Sequence, residues 1–271
     1  MTHDQLAQAL LQAVRSLDFG STADAHRQGL PVQAFPSIDL AVVAFPARSA
    51  AVWANVMFSR EHPQGVVAHI DSSAGSVRNI RFLADIRDAQ GVSVAWLPQA
   101  DWGQWPWRTL AGAGPLNMVA PYPASLLKLM VAVGVGMAID WSLCRWDQPW
   151  PYAQQVRTIA QWGEDMIVTS SNEATSALVA LLHALGLINE QADPEAHHAL
   201  HHAFESRGLH TLRLAGTRKA GGWGNSVGSG VGQIQMTAWD TARLLWLLDP
   251  SAAVRSEEHT SELQSLAYLV C

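Results

Sequence analysis

From Leu126 to Val133 the chain is apolar without a breaker, and the one polar residue in that run is Lys128. Such a run predicts a buried helix, and the lysine is carried inside with it. Pro121 and Pro123 stand just ahead. Each biases the residue before it away from helix, so the approach is extended. Ser125 therefore falls at the first turn, three residues before Lys128 and on the same face. A serine needs a neighbouring base to become a nucleophile, and a desolvated lysine can be that base. Backbone N–H groups at the helix start can face a developing oxyanion. Read as a plain capping serine and solvated lysine, the same residues would need a polar face. Leu126, Leu127, Leu129, Met130 and Val131 supply an apolar one.

The remaining composition narrows the function classes. A net charge of −6 over 271 residues argues against a nucleic-acid binder. No apolar run reaches membrane length. Met1 to Leu17 lacks a basic flank and reads as an amphipathic helix, so no signal peptide is visible. Cys144 and Cys271 define neither a disulfide framework nor a metal site. The stretch Arg255 to Ser265 resembles a translated sequencing adapter, so native sequence is expected to end near Val254 and residues 255–271 to be foreign.

Along the chain, helices are expected at residues 4–17, 152–162, 173–185 and 237–248, the last capped by Thr237. Strands are expected at 39–45, 51–58, 66–70 and 91–97, the last forming a hairpin with 105–110. Residues 77–89 carry both helical and alternating signals. A small-residue link, Ser72 to Ser76, marks a boundary between residues 1–75 and a second region, 76–254. Gly134 predicts close packing of the Ser125 helix against a neighbour. Trp102, Trp105 and Trp107 read as a core edge, with a ligand groove as the sharper alternative. His197, His198, His201 and His202 lack the acidic residue of a zinc helix and read as a solvated face. Gly228 to Gly232 is a weak nucleotide-loop lookalike that follows no clear strand.

A second polar element, Thr169-Ser170-Ser171-Asn172-Glu173-Ala174, stands before the helix at 173. By itself it is an N-cap. Paired with Ser125-x-x-Lys128, 45 residues earlier, it resembles the S-x-x-K plus S-x-N signature of class A β-lactamases and the related penicillin-binding D,D-peptidases. Met236 to Leu245 resembles the helix before that family's third motif, K-T-G. The motif itself is absent, and the foreign tail begins about where it should stand. Lys219-Ala220-Gly221 precedes the last helix, which is the wrong order. The loop Gly216 to Gly232 holds no Glu or Asp, so slow deacylation is expected.

The resemblance implies an α/β (α+β) fold with an antiparallel sheet flanked by helices and an all-helical lobe, its C-terminal strands missing here. It implies an acyl-enzyme on Ser125, with Lys128 as base, Ser170 relaying the proton to the leaving group and Asn172 orienting the substrate. That substrate would be a β-lactam, a peptidoglycan-like amide or an ester, with no metal or organic cofactor. The family implies a periplasmic or extracellular location. Without the last strands, the 271-residue chain is expected to be inactive and poorly soluble. A non-catalytic ligand-binding module on the same fold, or an ordinary domain with accidental motifs, are the competing readings.

Overall fold

The computed structural model describes residues 1–24, 28–31, 37–46, 50–71, 76–97, 100–190, 198–224 and 233–249. The adapter-like tail, His197, the link at 72–75 and Gly228 to Gly232 lie outside the described residues. The fold is mixed α+β: the described residues form six α-helices and several small sheets, and no closed barrel is found among them. Among the described residues no helix is long and apolar enough to cross a membrane. The chain divides into two compact units.

The first unit comprises Met1–Ala120 and Thr237–Ala242. Helix α1 (His3–Arg15) opens with a capping box between Thr2 and Gln5. Its buried face is Leu6, Ala7, Leu11 and Val14. Strand β1 (Ile38–Ala44) pairs antiparallel with β2 (Val52–Phe58), and β2 pairs with the short β3 (Val66–Val67). The two-residue period of β2 splits its side chains. Val52, Ala54, Val56 and Phe58 pack with α1, whereas Met57 joins Ile80, Phe82, Met118 and Trp239. Both faces of β2 are thus covered.

In the second sheet, β4 (Ile80–Ala84) is central, which resolves the ambiguous stretch as a strand. It pairs antiparallel with β5 (Thr109–Ala111) but parallel with β6 (Leu116–Ala120), so the strands of this unit are not all antiparallel. The turn between β5 and β6 runs against β4. A Cβ on Gly112, at φ +77, would sit 2.2 Å from the Ile80 carbonyl oxygen, so glycine is required. The expected strand at 91–97 is instead a bridge at Ser93 followed by a 3₁₀ turn, Val94–Trp96. Buried Asp85 organises it, accepting from Ser93 Oγ and, at 3.4 Å, from the Ala95 N–H. Trp102 packs edge-on to Trp107 in a satellite core with Val94 and Ala100, which matches the core-edge reading.

The second unit is Pro121–Met236 with Arg243 onward. Its centre is α2 (Leu127–Asp140), buried nearly all round. A helix apolar on every side belongs inside a core. A hairpin follows, β7 (Pro149–Tyr152) and β8 (Gln155–Thr158), where a helix was expected from residue 152. Its two-residue turn, Ala153–Gln154, has both φ angles positive, 46° and 66°. That geometry suits a two-residue hairpin but normally draws Asn or Gly, so the sequence carries no signal for it. Helices α3 (Ile159–Val168) and α4 (Asn172–Ala184) pack on α2. A Cβ on Gly134 would lie 2.9 Å from Leu182 Cδ1, which explains the glycine at that crossing. Helix α5 (Ala199–Glu205), the short pair β9 (Arg213–Leu214) and β10 (Ile234–Gln235), and the part of α6 (Ala238–Leu248) from Arg243 onward follow. With two ladders of its own, this unit is helix-rich but not all-helical.

Candidate active site

All four residues singled out in the sequence lie in the second unit and meet at one point. Ser125 stands in a 3₁₀ turn, Ala124–Leu126, that feeds directly into α2. Ala124, just before it, is held left-handed at φ +48. The kink leaves Ser125 exposed, while Lys128, one turn on, is 5 % exposed. The apolar walls of α2 therefore bury the amine and present the hydroxyl.

The other arm is the turn from α3 to α4. The Asp165 carbonyl accepts from the Thr169 N–H at 3.3 Å, the Thr169 hydroxyl at 2.8 Å and the Ser171 N–H at 3.1 Å. Ser171 caps α4, its hydroxyl accepting from the Ala174 N–H at 3.1 Å. Between these anchors Ser170 is left-handed at φ +57. That conformation turns its carbonyl and its hydroxyl toward the same lysine. Asn172 is the first residue of α4.

Lys128 Nζ lies 3.1 Å from Ser125 Oγ, 2.8 Å from Ser170 Oγ, 2.7 Å from the Ser170 carbonyl oxygen and 3.1 Å from Asn172 Oδ1. The two hydroxyl oxygens are 3.1 Å apart. Every one of these oxygens is uncharged, and among the described residues no carboxylate pairs with Lys128. Burial pushes its pKa below the ordinary lysine value, because the ammonium loses hydration without gaining a counter-charge. The four surrounding oxygens can satisfy the neutral amine as well as the ammonium. For the neutral amine, two carbonyl-type oxygens can take its two N–H bonds, leaving the lone pair for a serine hydroxyl. An exposed serine, a buried amine in reach and a second hydroxyl touching both make the arrangement that a nucleophile with a base and a proton relay would require.

Arg157 and Asp165 escaped sequence reading. Arg157 on β8 pairs with the Asp165 carboxylate on α3 and lies 4.9 Å over the Trp162 ring, bracing the helix that leads to Ser170. Two charges eight residues apart, one of them on a hairpin strand that could not be foreseen, leave no readable signal. Lys219 engages Glu190, through its N–H at 3.0 Å and its Nζ at 3.9 Å, and contacts none of the four. His202 is exposed as expected, but His198 and His201 are buried, which corrects the solvated-face reading. Among the described residues no group of three or more His, Cys, Asp or Glu could hold a metal. No family model matches the chain, and neither a curated protein nor a solved structure does.

Proposed function

We propose that the chain is a serine hydrolase of the β-lactamase and penicillin-binding type, acting through an acyl-enzyme on Ser125. The observation that carries this reading is the buried Lys128 amine, held between the Ser125 and Ser170 hydroxyls by the Asn172 side chain and the Ser170 carbonyl. Lys128 removes the Ser125 proton as Oγ attacks a carbonyl carbon. Ser170, touching both groups, passes a proton to the leaving nitrogen or oxygen. With its Oδ1 turned to Lys128, Asn172 has its Nδ2 group available for a substrate carbonyl. The substrate is a β-lactam, a peptidoglycan-like amide or an ester. The finer fold assignment, a β-lactamase and transpeptidase-like domain, belongs to the same proposal. It is supported by the order of the two motifs and by their convergence.

The test uses the longer protein that the adapter reading of residues 255–271 implies. Fluorescent penicillin and a fluorophosphonate are incubated in parallel with wild type and Ser125→Ala. The wild type is expected to be labelled by at least one probe, and the variant by neither. Equal labelling of both proteins, or labelling of neither, would overturn the proposal.

A further inference from the structure

The buried histidines perform a task that the proposed reaction does not use. Their rings stack with centroids 3.8 Å apart. His198 caps α5, its Nδ1 accepting from the His201 N–H at 3.3 Å. An accepting Nδ1 fixes the proton on Nε2, which reaches the Leu214 carbonyl at 3.0 Å. His201 Nε2 in turn accepts from the Leu214 N–H at 2.8 Å. The two imidazoles thus bond both backbone groups of Leu214, as a neighbouring strand would, while Leu214 stands opposite Ile234 in the β9–β10 ladder.

Each ring accepts one backbone N–H, and an imidazolium has no acceptor. We propose that His198 and His201 form an acid-sensitive latch that keeps α5 on β9 only while both rings are neutral. A proton on His198 Nδ1 removes the helix cap. A proton on His201 Nε2 sets N–H against N–H at Leu214. Two stacked imidazolium rings would also repel each other. Among the described residues, the charged and titratable groups near the pair include His183 on α4, Arg213 on β9, and His202 and Glu205 on α5. Charge on His183 or Arg213 opposes a proton on His198. Glu205 pairs with Arg213 at 3.0 Å.

Burial holds the His198 pKa below its ordinary value, with the charges on His183 and Arg213 adding to the effect against two backbone contacts. The unfolded chain therefore binds the proton first as pH falls. The latch contributes its full stability above the unfolded histidine pKa of about 6.5, and that contribution is lost as pH falls from there through the lowered folded value. Each linked proton lowers the folding constant up to about tenfold per pH unit in that window.

The experiment measures unfolding of the full chain by denaturant from pH 7.5 to 5, for wild type and His198→Asn. Asparagine keeps a cap for the His201 N–H but binds no proton. The variant's folding constant is expected to fall more gently with acid, by up to tenfold per pH unit. In parallel, imidazole ¹⁵N shifts of the wild type are expected to show a neutral Nε2–H ring at His198 and a neutral Nδ1–H ring at His201 at pH 7. Equal pH slopes in the two proteins would overturn the latch. So would protonation of either ring at or above pH 6.5 with α5 amide protection unchanged. Where His198→Asn does not fold, the wild-type titration decides alone.

Discussion

Replacing Lys128 with methionine is expected to cut Ser125 acylation roughly 10²–10⁴-fold, the usual contribution of a positioned base. The fold should survive the change. Methionine fills the apolar channel of α2, and the desolvation cost of the amine disappears with it. The Ser170 and Asn172 oxygens that lose a donor belong to exposed residues, so water can replace it. The melting temperature should stay within about 2–4 °C of wild type, the shift that 1 kcal/mol produces in a domain of this size. The pH profile supplies an independent check on the wild type. As the proposed base Lys128 would act in its neutral form, and burial lowers its pKa. The acylation rate should therefore rise with pH and level off below the ordinary lysine value of about 10.4. Stopped-flow labelling across pH measures this. A rate still climbing at that value, or near-normal labelling in Lys128→Met, would show that the amine is not the base.

Ser170→Gly is expected to separate activity from stability. Ser170 holds φ +57, a conformation that costs an ordinary residue about 1–2 kcal/mol and glycine almost nothing. Glycine's greater freedom in the unfolded chain returns part of that, about 0.5–1 kcal/mol. Removing the hydroxyl should lower acylation roughly 10²-fold or more, since the relay between Lys128 and the leaving group is gone. Ser170→Ala loses the same hydroxyl but keeps the strain. Denaturant unfolding of the pair is the measurement. The glycine variant should be the more stable, by up to about 1 kcal/mol, with both variants equally impaired. An alanine variant as stable as the glycine one would remove strain from the account.

What the sequence shows of this site is local chemistry. Ser125 and Lys128 are legible because three residues on a helix are neighbours and because an unbroken apolar run buries whatever it contains. Gly134 is legible because a helix interior rarely takes glycine without a close neighbour, here Leu182. Strands β1 and β2 read directly from their apolar, β-prone runs. The misses arise where polar bonds or turn geometry override the local apolar pattern. Residues 92–97 alternate like a strand, but buried Asp85 gathers Ser93 and Ala95 into a turn. Residues 152–158 carry helical spacing, but a hairpin with two positive-φ residues and no glycine wins. The histidine run is polar, yet His198 and His201 are drawn inside because Leu214 needs partners for its N–H and C=O. The meeting of Ser170 with Lys128 likewise depends on a turn set by the Asp165 carbonyl, which no spacing rule contains.

The central claim is that Ser125 is the residue that becomes acylated. Peptide mapping by mass spectrometry, after the longer protein proposed above has reacted with a fluorophosphonate or a β-lactam, is the direct test. One adduct per chain is expected, confined to the peptide that contains Ser125 and absent from Ser125→Ala. An adduct on another residue, with Ser125 unmodified, would contradict it.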